Sequence, residues 1–159
     1  NHALFKSLLF LNAGAVEYAT GTRKLDELGG LNRALPVTGA TSLVGSMSIA
    51  GVPPFNGFWS KLIIVLACIE AGYYGFAAIA VAVSIVTLAY QLKVQRQAFF
   101  AELPLRLVGI GKEPRMMALA MILLAAGCVA LSFAVLSGLR DPWLIGAAQQ
   151  ALTAGIFGG

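Results

Sequence analysis

The chain has 159 residues, of which 58% are hydrophobic and 11% charged, with a formal net charge of +4. Soluble domains carry about 25% charged residues. That composition excludes an ordinary soluble domain and a basic nucleic-acid binder, and it points to helices that cross a bilayer. Cys68 and Cys128 stand alone in apolar segments, which excludes a disulfide framework or a cysteine metal site. No nucleophile, nucleotide or metal motif marks an enzyme, and no cofactor is expected.

The predicted elements follow in chain order. A first helix covers 2–19, and 20–36 is a polar loop with Gly29, Gly30 and a terminal Pro36. The run is too long for a signal peptide, and without a start methionine the chain is expected to be a fragment. A second helix, 36–51, is rich in small residues, with Thr38, Ser42 and Ser46 spaced for close helix approach. A third covers 54–71, and 71–75 is a turn with interfacial tyrosines. A fourth covers 74–98, and 99–114 is a loop with Pro104 and Pro114. A fifth covers 115–138, and 139–159 is expected to be a short interfacial tail. The fold class is therefore all-α, a polytopic transmembrane bundle of about five spans over 1–138. Loops 20–36 and 72–75 and the tail are expected on one side. The turn at 52–54 and loop 93–115 are expected on the other, which a five-to-four excess of basic residues assigns to the cytoplasm.

The stretch 51–61, GVPPFNGFWSK, breaks the oily pattern. Lys61 precedes Ala71 by ten residues, about 15 Å of helix and about half the hydrocarbon core. It should lie near the midplane. Pro53 and Pro54 remove two backbone donors and Gly57 weakens the helix. Irregular backbone at that depth requires protein or a watery cavity around it, so one discontinuous helix is expected. The competing reading has Pro53-Pro54 starting a plain helix with Lys61 snorkelling to the interface.

The first helix carries a second set of charges. His2 and Lys6 share a face, and Glu17 lies three turns further on. Lys6 is fourteen residues from Thr20, about 21 Å. Burying a charge at a helix centre costs at least about 2.5–3.5 kcal/mol, and histidine titrates near neutrality. Lys61, Lys6 and His2 therefore read as a proton relay, with Glu17 either a member or an interfacial charge. Ser84, Thr87 and Gln91 form a polar stripe that either lines the same path or bonds between helices.

The segments NHALFKSLLFLNAGAVEYATGTRKLDELGGLNRALPVT and SIAGVPPFNGFWSK resemble the antiporter-like subunits of the complex I superfamily. That superfamily includes membrane-bound hydrogenases and multisubunit cation/proton antiporters, and the PPFNGFWSK form is closest to those two branches. The resemblance is specific over 1–65 and looser beyond. It implies the last five helices of a fourteen-helix subunit in a prokaryotic inner membrane. It also implies a broken helix whose mid-membrane lysine matches Lys61, and a histidine–lysine pair, His2 and Lys6, serving a half-channel to the outside. The function implied is proton translocation in a redox-driven complex with other membrane subunits as partners. The alternatives are a Na⁺/H⁺ antiporter component and a non-transporting structural subunit. The first inverted repeat and a lateral helix are not visible in the chain, so a complete path is expected to need further chain or a partner.

Overall fold

The computed structural model describes residues 1–138; the tail expected at 139–159 lies outside them. The described residues are helical with short connections and no strand. The elements are α1 (His2–Thr20), α2 (Leu31–Ala34), α3 (Pro36–Ala50), α4 (Asn56–Glu70), α5 (Tyr74–Gln95) and α6 (Arg115–Gly138). A single π turn, Arg96–Phe100, prolongs α5. Tyr74–Phe100 and Arg115–Val135 are each long and apolar enough to cross a membrane.

Local chemistry sets the boundaries. Gly21 ends α1 in the left-handed conformation, its N–H returning to Glu17 O at 2.8 Å, the usual glycine stop. Pro36 opens α3 at its first turn, where a missing N–H costs nothing. The buried face of α3 consists of Thr38, Gly39, Thr41, Ser42, Gly45, Ser46, Ser48 and Ala50. Such small side chains let backbones approach closely, and α3 packs against α1, α4, α5 and α6. The outer faces carry large exposed apolar residues, among them Ile63, Phe76, Ile79, Val86, Leu123 and Phe133.

Two apolar clusters hold the bundle. Phe5, Leu8, Ala15, Met121, Ala125 and Cys128 join α1 to α6. Val16, Leu31, Leu35, Ala98, Phe99 and Leu107 join the 21–35 connection to the 96–114 connection. The second cluster corrects the expected topology, because those two connections share one end of the bundle instead of lying on opposite sides. Arg106 Nη2 meets Glu27 Oε2 there at 3.0 Å, and Val37 N–H donates to Glu113 Oε1 at 3.1 Å.

The physical reason lies in how α3 and α4 run along α5. Gln95 of α5 bonds to Ser42 and Ser46, and Gln91 to Ser46. One turn further, the end of α3 comes level with Thr87 and Leu88. Val65 and Ile69 of α4 share a groove with Ala77, Val81 and Ile85, so Lys61, one turn before Val65, is level with Val86. The two 15-residue helices thus tile end to end along the single helix Tyr74–Phe100. The turn at 52–54, expected at a surface, lies at mid-length.

Candidate functional site

The break is built from backbone. Gly51 ends α3 at φ 79°, ψ 41°. Its N–H points to Met47 O at 3.1 Å and Ser48 O at 3.2 Å, and Val52 N–H reaches Met47 O at 3.0 Å. A cis peptide joins Pro53 to Pro54, and neither proline has an N–H to offer the last carbonyls of α3. Lys61 supplies the donor instead: its Nζ gives a hydrogen bond to Ala50 O at 2.9 Å. A cation at a helix C-terminus meets the negative end of the helix dipole. A Cβ on Gly51 would stand 2.7 Å from Lys61 Cδ, so glycine is required there both by the backbone angle and by the lysine stem.

The first turn of α4 is pressed against α3. A Cβ on Gly57 would run into the Ser48 carbonyl, so backbone packs on backbone. Asn56 is fully buried, with Oδ1 unpartnered. The Asn1 amide donates to Asn56 O at 3.2 Å and also to Ser60 Oγ. Trp59 Nε1 donates to Ser132 Oγ at 2.8 Å, and that hydroxyl bonds to Pro54 O. The break is therefore clamped by α1 on one flank and by α6 on another.

The structure brings some of the sequence-predicted residues together and separates others. α1 runs antiparallel to α3, with Thr41 beside Asn12 and Gly45 beside Leu8 and Leu9. That register sets His2 at the level of the break and Lys6 about one turn away from it. His2 is exposed, its ring edge-on to Phe5 at 5.1 Å, and Lys6 is half-buried. Among the described residues neither one bonds to Lys61. Glu17 sits toward the far end of α1, where Arg23 Nε meets its Oε2 at 2.8 Å. The Glu17 hydrogen bond and then its charge hold the Arg23 guanidinium above its usual range. Ser84 and Thr87 bond back to Ala80 O and Val83 O on their own helix, at 2.8 and 2.7 Å. Gln91 does bridge helices, its Oε1 lying 3.3 Å from Ser46 Oγ.

Sequence reasoning missed Asn12, Asn56 and Gln95, all buried polar residues. Their signal was present: a neutral amide within an apolar run is costly unless it is bonded.

These features define a class first: an integral membrane helix bundle organised around an interrupted helix whose exposed carbonyl is capped by a lysine. The family follows. Residues 1–87 match the family described as NADH:quinone oxidoreductase/Mrp antiporter, TM, and the chain belongs to it. NADH-quinone oxidoreductase subunit N of Desulforudis audaxviator is 38% identical over 104 residues, 65% of this chain and 21% of that protein. A Na(+)/H(+) antiporter subunit from Alkalihalophilus pseudofirmus is 51% identical over 71 residues, 45% and 9% of the respective chains. Among solved structures, a chain of the membrane-bound sulfane sulfur reductase, an archaeal respiratory membrane complex, aligns with a TM-score of 0.78 at 32% identity. That match covers 82% of this chain and 22% of the other. A chain of the Mrp complex from a Dietzia species aligns at 0.77 and 26%, over 89% and 36%. The chain thus spans about a fifth or less of the length of these two curated relatives.

Proposed function

We propose that the chain is part of a proton-translocating module in a multisubunit, redox-driven membrane complex, with Lys61 as its central carrier. The observation that carries this reading is the bond from Lys61 Nζ to Ala50 O at the break. A charge-assisted hydrogen bond is roughly twice as strong as a neutral one. Loss of the proton weakens both that bond and the attraction of the helix end, so charge state and amine position are coupled. His2 and Lys6, near the same level, exchange protons with Lys61 through water. Pro53, Pro54 and Gly57 keep the backbone open there, and Gln91 lines the path with Ser84 and Thr87 at its margin. Glu17 stands at the mouth.

In this reading α3 and α4 count as one crossing rather than two, and α1, which starts at the level of the break, runs from there to the basic end. Arg23, Lys24, Arg33, Lys93, Arg96, Arg106, Lys112 and Arg115 then gather at one end. That end then carries eight of the eleven basic residues, which supports assigning it to the cytoplasm of a prokaryotic cell. The test uses the intact complex in vesicles. Lys61→Ala is expected to abolish proton transport while the complex still assembles, and wild-type transport by that variant would end the proposal.

The second reading, sodium/proton exchange, is favoured by the antiporter relatives. Transport that depends on sodium at fixed pH selects it.

A further inference from the structure

A cleft of about 710 Å³ lies between α1 and α5 with α3 as its floor. Its mouth is at the basic end, beside Glu17 and Arg23, and it runs inward to Ser46 and Gln91. The walls are apolar, including Leu9, Phe10, Val94 and Phe99. The floor is not. Gln95 Nε2 donates to Ser42 Oγ at 2.7 Å and to Ser46 Oγ at 2.9 Å. The Ser46 hydroxyl in turn donates to Gln91 Oε1 at 3.3 Å. Thr41 Oγ1 lies 2.8 Å from Asn12 Oδ1. Asn12 and Gln95 are each 3% exposed, yet Asn12 Nδ2 and Gln95 Oε1 have no partner. Asn12, Ser42, Ser46 and Gln91 line the cleft itself, with Gln95 behind the two serines. A buried polar atom without a protein partner beside a space large enough for water, as Asn12 Nδ2 is, is where ordered water sits. Ser46 is four residues before Ala50, about 6 Å along the helix, so the inner end of this floor stops one turn short of the carbonyl that receives Lys61.

We infer that this floor is a water thread connecting Lys61 to the basic end of the bundle, a route distinct from the half-channel to the outside expected of His2 and Lys6. Its groups are amides and hydroxyls without a carboxylate, which suits proton passage along water better than capture of a bare cation. The inference rests on the reading of Lys61 as a carrier, and the test separates the two.

In the intact complex, with Cys68 and Cys128 replaced, single cysteines are placed at Ser42 and Ser46. Arg106→Cys marks the basic end and Ala15→Cys, fully buried in the apolar cluster, is the dry control. The probe is the membrane-impermeant reagent trimethylammonium-ethyl methanethiosulfonate. Ser42→Cys and Ser46→Cys are expected to react from the same face as Arg106→Cys, and Ala15→Cys not to react. Lack of reaction at both serine positions, or reaction only from the opposite face, overturns the thread. Gln95→Leu is expected to slow proton transport about tenfold, the loss of roughly one hydrogen bond's worth of barrier lowering, with Gln95→Glu restoring it. An unchanged rate in Gln95→Leu also overturns the thread. If Lys61→Ala transports normally, the carrier reading fails whatever the labelling. If Lys61→Ala is inactive and the serines stay unlabelled, only the thread fails.

Discussion

The break at 51–61 and the basic end of the bundle use opposite means to hold irregular backbone. The basic end is built from abundant parts. Its apolar cluster around Phe99, Leu31 and Leu107 carries the packing, and ion pairs such as Arg106–Glu27 and Arg23–Glu17 decorate the outside. Exposed pairs of that kind contribute little. The break has no ion pair among the described residues. It depends on two glycines that admit close backbone contact and on one lysine that serves one carbonyl. Redundancy at one site and its lack at the other mean that single substitutions should act very differently in the two regions.

The largest effect is expected from Gly57→Val. Its side chain would collide with the Ser48 carbonyl, which cannot rotate away, so the protein should fail to accumulate in the membrane. Normal levels on a quantitative blot would show that α4 can shift. Phe99→Ala comes next, on the redundant side. Phe99 is 4% exposed, and truncating a buried phenylalanine costs about 3–5 kcal/mol. Thermal unfolding in detergent should show a clear loss of stability with Lys61-dependent transport surviving in the folded fraction. Gly51→Ala is smaller in stability, about 1–2 kcal/mol for an L-residue in the left-handed region. It should nevertheless impair transport, since the added methyl displaces the Lys61 stem. Wild-type transport with reduced stability would detach Gly51 from the carrier.

The smallest effect concerns Glu27. Its carboxyl is held below the usual carboxylate range, first by the Thr22 hydroxyl, with the charges of Arg106 and Lys24 adding and desolvation opposing. A depressed acid stabilises the folded loop fully above its unfolded pKa, and that contribution fades as pH falls through the folded value. Glu27→Gln should therefore flatten the acid side of the stability profile and leave neutral pH nearly unchanged. An identical acid limb in mutant and wild type would remove Glu27 from the account.

Parts of this architecture are legible in the residues. The helix boundaries follow from Gly21, Pro36, Gly51 and Pro114, whose backbone chemistry acts locally. Counting 1.5 Å per residue back from Ala71 gives the expected mid-depth of Lys61, and the register of α4 on α5 sets that residue level with Val86. The turn at 52–54 misleads. A Pro-Pro pair after a glycine looks the same at a surface hairpin and inside a broken helix, because local propensity does not encode depth. Read as a surface turn, it puts the connections 20–36 and 93–115 at opposite ends, and splits eight clustered basic residues into five and three. Ser84 and Thr87 stand out above Gln95 in the sequence for a related reason. Hydroxyl side chains can satisfy themselves on their own helix, so a polar stripe does not say whether it faces a neighbour.

By itself the sequence determined that this is a membrane-embedded helical chain whose helices are interrupted between Gly51 and Asn56, since apolar run length and proline chemistry are properties of the local chain. Tertiary structure alone decided that α3 and α4 both lie along α5, that both long connections meet at the basic end, and that the Lys61 ammonium rests on the Ala50 carbonyl. Those outcomes depend on which helix lies beside which, and small residues such as those lining α3 fit several neighbours equally well until the whole bundle is packed.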